Sequence, residues 1–207
     1  MAVDTRQKLV HSAQKLMLQK GYSATGVDDL CRDAEVSKGS FYHQFSSKEE
    51  LALAALQSFY EAGLRKLLSI DLSGIAAEDR LLAFLAAVAK QGHDFWQDGC
   101  LLGSLASEMA LTSPALQAEV AELFAQTAKA LEPLAEPFVA TLQDPSLSAA
   151  TLAEQFLVVV EGAIVLSRAH GDPLKINQAV ARFAEQLRWL PRRQSALVPS
   201  KKRAQKT

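Results

Sequence analysis

The chain shows helical periodicity almost from end to end. Between Asp4 and Lys20 the apolar residues Leu9, Val10, Ala13, Leu16 and Met17 fall at i, i+1, i+4, i+7 and i+8, one face of a helix, and Gly21 stops the run. Thr25 precedes "GVDDLCRDA", with Asp28 three residues on; an N-cap followed by acids in the first turn predicts a short second helix over about 27–34. Ser37 is a plausible cap for a third helix of about seven residues that ends near Phe45. Ser47 and Glu50 form a capping-box pair, so a long fourth helix should start at Lys48 and run to about 69, with Leu51, Ala55, Leu56, Phe59, Gly63, Leu67 and Leu68 on its apolar face.

Beyond residue 71 the helices lengthen and are separated by short Gly, Pro and Ser breaks. They are predicted at about 76–97, 100–111, 114–141 with Pro133 and Pro137 as kink points, 149–170 and 175–190. Ser113 followed by Pro114 reads as an N-cap with proline at the first helical position, and Gly171-Asp172-Pro173 as a stop. No segment alternates apolar and polar positions with β-branched enrichment, and no repeat of fixed period stands out. The expected fold is all-α with about nine helices.

Composition sharpens this only at the margins. Of the 207 residues, 49% are hydrophobic and 22% charged, which suits a folded soluble chain. The longest uninterrupted apolar stretch, Leu81 to Ala89, is far shorter than the roughly 20 residues that span a bilayer. The opening "MAVDTRQKLVHSAQ" lacks the apolar core and cleavage site of a secretory signal. Cys31 and Cys100 are too few and too far apart for a disulfide framework or metal knuckle, so a cytoplasmic protein without membrane attachment is expected. The net charge of −1 hides an asymmetry: residues 1–48 carry seven Lys/Arg against five Asp/Glu, residues 49–191 nine against eighteen, and residues 192–207 six against none. A basic head and tail around an acidic body suggest that the ends meet a polyanion. The plainer reading of the tail, a disordered and solvated terminus, is the favoured one.

Two short helices joined by a tight turn and backed by a preceding helix form the layout of a helix-turn-helix unit, whose second helix enters the DNA major groove. Here that helix is residues 37–45. Phe41 and Phe45 lie four apart on one face and pack inward, leaving Ser40, His43 and Gln44 outward with Lys38. Lys38 and Lys48 supply charge for phosphates, and Lys48 also stands at a helix start, where backbone N–H groups favour an anion.

From "TRQKLVHSAQKLMLQKGYSATGVDDLCRDAEVSKGSFYHQFSSKEEL" the chain resembles the N-terminal domain of the TetR family of transcriptional regulators, over about residues 3–63. The shared features are a first helix ending in "KGY", a Thr before the second helix and a "VSKGSFYHQFSSKEEL"-type run with fixed Lys-Gly, Tyr, Phe and Lys spacing. The resemblance implies phosphate contacts at Thr25, Lys38, Tyr42 and Lys48, and positions near base edges at Gly39, Ser40 and His43. Many relatives carry His or Tyr where this chain has Gln44. "DGCLLGSLASEMA" at 98–110 is similar to a motif of one subgroup. The implied organisation is a DNA-binding domain at 1–48, with the helix-turn-helix at about 26–45, then a ligand-binding and dimerisation domain at 49–191 and the basic tail at 192–207. It also implies a homodimer joined through 149–170 and 175–190, which binds double-stranded DNA at a palindrome, most often as a repressor. A small-molecule effector would favour a conformation with the wrong separation of the reading helices. Phe156, Val159, Val160, Ala163 and Leu166, with Gly162, form a stripe suited either to that interface or to ordinary intrachain core.

For a largely apolar effector the central helices offer Phe59, Phe84, His93, Trp96, Cys100, Ser104, Met109, Phe124, Phe156 and Glu161. Most of these are core residues first; His93 beside Trp96, and Glu161 in an apolar helix, stand out because a polar group there needs a partner. Cys100 reads as a small hydrophobe or a thiol sensor. His11, His43, His93 and His170 are scattered, and no Gly-x-Ser-x-Gly elbow or phosphate-binding glycine loop occurs, so no catalytic residues, metal or cofactor are expected. The alternative to a DNA-binding regulator is a helical ligand-binding or scaffolding module without DNA binding.

Overall fold

The computed structural model describes residues 4–109 and 113–193. Among them the elements are α1 (Thr5–Lys20), α2 (Val27–Asp33), α3 (Lys38–Gln44), α4 (Lys48–Leu68), a 3-10 turn (Ala77–Asp79), α5 (Arg80–Trp96), α6 (Leu101–Met109), α7 (Pro114–Ala140), α8 (Ala149–His170) and α9 (Leu174–Arg188). The only strand-like pairing among these residues is an isolated antiparallel bridge between Leu142 and Arg192.

Local chemistry sets the helix ends. Gly21 closes α1 at φ 85° and Gly171 closes α8 in the left-handed region. Ser37, Ser47, Ser113 and Ser148 cap α3, α4, α7 and α8 through their hydroxyls. Two expected caps are corrected. Gly26, not Thr25, is the N-cap of α2, because the Thr25 hydroxyl donates back to the Gly21 carbonyl at 2.6 Å and the Asp29 carboxylate takes the Gly26 N–H instead. Glu50 does not close a box on Ser47; its carboxylate accepts the N–H and hydroxyl of Ser46, one residue earlier. Pro133 and Pro137 both lie inside the continuous α7.

α1, α2 and α3 pack into a small three-helix unit around Leu9, Ala13, Met17, Leu30, Phe41 and Phe45. Glu35, between α2 and α3, sits at φ 55° and so turns the chain sharply without a glycine. α4 leaves this unit along α1 and enters the body, where α5 lies against α9 and α8 between α7 and α9. Phe84 and Phe156 meet edge to face at 5.7 Å in the core of the body. α8 is long and apolar enough to cross a membrane by length and composition alone, although Glu154, Gln155 and Glu161 interrupt its apolar run and its buried face is part of the core of the body. From 194 onward the expected basic tail lies outside the described residues. Its first two residues are held: the Arg193 N–H donates to Thr141 O at 2.7 Å, and Arg192 stacks over Phe138 at 5.0 Å and pairs with Asp79.

Candidate nucleic-acid interface and ligand groove

α3 presents its polar flank outward. Phe41 is fully buried and Phe45 nearly so, while Lys38, Gly39, Tyr42 and His43 are exposed and Ser40 and Gln44 half-buried. The order follows from the four-residue spacing of the two phenylalanines, which turns 38, 39, 42 and 43 away from the core. Ser40 Oγ lies 2.9 Å from Ser37 Oγ, so the cap and the outward hydroxyl are shared. Lys38 is paired with Asp28 of α2 at 2.6 Å, and that hydrogen bond holds its ammonium above the ordinary lysine value. The pair is largely exposed, so exchanging Asp28 for another anion costs little.

Thr25 occupies a different place from the one expected of a phosphate contact. Its side chain is buried, its hydroxyl is spent on Gly21 O and its N–H donates to Tyr22 O. It braces the α1–α2 turn. Lys48 is half-buried at the start of α4; its ammonium donates to Tyr22 O at 3.0 Å and lies 4.0 Å from the centre of the Tyr22 ring. Burial pushes the Lys48 ammonium below its ordinary value, against the opposing charge of Glu108.

The ten residues expected to bind a ligand do not share one cavity. Phe59 faces a cleft of about 820 Å³ at the domain junction, lined also by His11, Lys15, Asp94, Asp98 and Arg168. Phe124 and Glu161 come together in a groove of about 470 Å³ between α7 and α8, with Leu157 and Val158 among its apolar walls and Glu154 at its edge. Phe156 is core. The His93 N–H donates to Asn177 Oδ1 at 3.1 Å, its Nδ1 is buried with no hydrogen-bond partner among the described residues, and Trp96 stacks obliquely on Phe95 at 5.4 Å. Ser104 is half-buried on α6, and the Met109 side chain lies outside the described residues.

Glu161 is the more buried of the two carboxylates in the groove. Burial raises its carboxyl above the usual range, only partly offset by the Cys100 thiol that hydrogen-bonds to it, and a Cβ at Gly103 would collide with its Oε2. Cys100 is itself buried, which pushes its thiol far up, with the Glu161 charge adding to the effect. A thiol held protonated in this way is a poor nucleophile. The raised Glu161 value gives a signed prediction. Ionisation is penalised in the folded state, so the penalty is present above the folded pKa and fades as pH falls through it. Glu161→Gln is expected to raise the melting temperature at pH 7.5 by about 2–4 °C, the equivalent of about 1 kcal/mol, and the gap should close toward pH 5. A melting temperature equal to or below the parent's would contradict it.

Sequence reasoning missed the residues that join the two domains. Glu108 of α6 accepts the Tyr22 and Ser23 N–H groups, each at 2.7 Å, and the Ser113 hydroxyl donates to Glu49 of α4. Arg168 of α8 donates to the Leu18 carbonyl in α1. One signal was available: Glu108 is the sole charged residue of "LLGSLASEM".

These features define a helix-turn-helix reading head fixed to a helical body with a small-molecule-sized groove. The chain belongs to the tetR family of bacterial regulatory proteins: that family's model matches residues 9–55, and the tetracyclin repressor-like C-terminal domain matches residues 77–183. Among relatives, the HTH-type transcriptional repressor NemR of Escherichia coli is 35% identical over 140 residues, covering 67% of this chain and 65% of its own length. The transcriptional regulator AcuR of Cereibacter sphaeroides is 31% identical over 191 residues, 86% of this chain and 82% of that protein. Among solved structures, a TetR transcriptional regulator from Chloroflexus aurantiacus superposes with TM-score 0.76 at 27% identity, covering 91% of this chain and 96% of its own. The reduced form of E. coli NemR does so with TM-score 0.72 at 27% identity, covering 88% and 97%. This is a family of transcriptional regulators rather than enzymes.

Proposed function

We propose that the protein is a cytoplasmic transcriptional repressor that binds a palindromic operator as a homodimer and is released by a small, largely apolar effector. The observation that carries the reading is α3, which keeps both phenylalanines inside and turns Lys38, Gly39, Tyr42 and His43 to solvent. On it, Lys38, Tyr42 and Lys48 take phosphates, and Gly39, Ser40 and His43 lie toward base edges, with Gln44 beside them.

A seam on the body supports the dimer. Val158, Val165 and Leu166 are 72%, 64% and 53% exposed along one side of α8, and the Gly162 Cβ position meets nothing within 4 Å. An apolar stripe with a glycine in it accepts a second helix closely, and a twofold pairing of α8 and α9 would cover it. The effector is assigned to the α7–α8 groove, whose apolar walls around one desolvated carboxylate suit a hydrophobic molecule with a hydrogen-bond donor. Binding would favour a state with the wrong spacing of the two reading helices, a coupling of about 1–3 kcal/mol in typical cases.

Selection of duplexes from a random pool by the purified chain is expected to return a palindrome with half-sites about 34 Å apart. On that duplex, Lys48→Ala should weaken binding to all sequences alike and reduce the salt slope by about one unit, while His43→Ala should change preference at particular base pairs. Recovery of no sequence, and no salt-dependent binding to any duplex, would favour the helical module without DNA binding.

A further inference from the structure

The α1–α2 turn is held from the other domain. Both N–H groups that begin it, on Tyr22 and Ser23, point at one carboxylate, Glu108 on α6. Gly21 makes room for it: at φ 85° it adopts a backbone conformation that side chains rarely take, and a Cβ there would stand 2.8 Å from Glu108 Oε2. Burial works against the Glu108 carboxylate, but the bonds from Ser23 and Tyr22 and the Lys48 charge outweigh it and hold the group below its ordinary value.

Everything at this corner of the reading head hangs on that turn. Thr25 is tied to Gly21 O and Tyr22 O. The Lys48 ammonium has the Tyr22 carbonyl and the Tyr22 ring as partners. A four-carbon side chain is otherwise free to rotate, and fixing it costs conformational entropy. The turn therefore determines where the Lys48 charge stands.

We propose that Glu108 is a positioning residue for operator binding: by fixing the backbone of Tyr22 and Ser23 it places Lys48 for its phosphate, although it touches no DNA itself. This rests on the DNA-binding reading above and adds to it a residue of the ligand domain.

A double-mutant cycle on the selected duplex tests it, with the full-length protein and with dimerisation and melting temperature recorded for each variant. Lys48→Ala in the parent is expected to weaken binding about tenfold and to lower the salt slope by about one unit. In the Glu108→Ala background, which should itself bind about tenfold more weakly, Lys48→Ala is expected to change affinity less than twofold and to leave the slope unchanged. Glu108→Gln, which keeps one acceptor and loses the charge, should restore part of the Lys48 effect. A purely electrostatic Glu108 that only shields Lys48 gives the opposite pattern: both Glu108 variants bind more tightly and Lys48→Ala keeps its full effect. That result, or simple additivity, overturns the proposal. Absence of binding by the parent would instead overturn the DNA-binding reading.

Discussion

Leu166→Asp is expected to convert the protein to monomers and to weaken operator binding by at least about a thousandfold. Leu166 is more than half exposed on the isolated chain, so an aspartate there removes few intrachain contacts and should leave far-UV circular dichroism and the monomer's fold unchanged. In the proposed dimer the same position is covered by the partner. A carboxylate stripped of water there without a counter-charge costs several kcal/mol, more than an interface of this kind can absorb at micromolar concentration. A monomer carries one reading helix and loses the second half-site, so affinity should fall from the usual specific range toward the non-specific one, a gap of about 10³ or more. Sedimentation velocity and operator titration check the two parts. A variant that remains dimeric would move the interface elsewhere.

Phe41→Ala is expected to unfold the reading head while the body stays folded. Phe41 is fully buried and touches Tyr42 edge-on at 5.1 Å and Phe45 at 6.3 Å, so it ties α3 to its own turn and to α1. Removing a buried phenylalanine costs about 3–5 kcal/mol, and a unit this small has little stability to spare. The loss should show as an early transition in thermal melts and as fast amide exchange confined to residues 5–44, with α5 to α9 protected. Phe41→Leu should recover most of it. A single unshifted transition for Phe41→Ala would mean that α3 is held by the body and not by its own core.

Most helices were legible because this chain marks its boundaries with short-range chemistry: serine caps at 37, 47 and 113, glycine stops at 21 and 171, and proline at the first turn of α7. The flank of α3 was legible for the same reason, since the spacing of Phe41 and Phe45 fixes which residues turn outward. Contacts between distant segments were not. Thr25 looks like a cap in sequence, and only the fold shows its hydroxyl turned back to Gly21. The pairings of Lys38 with Asp28, of Ser113 with Glu49 and of Glu108 with the α1–α2 turn span 10, 64 and 85–86 positions, beyond any helical period. The candidate pocket residues shared a composition, but they occupy a junction cleft, a groove and the core, because apolar periodicity places a residue on a face without saying which neighbour meets it.

α7 acts as a ruler. Its first cap, Ser113, touches α4 beside the reading head, and its 27 residues carry the chain about 40 Å before Thr141 accepts the Arg193 N–H. A fluorophore or affinity tag joined directly after Arg193 thus begins at the end of α7 remote from the proposed reading face. Such a handle permits immobilisation on a sensor chip with the operator side left open to the flow.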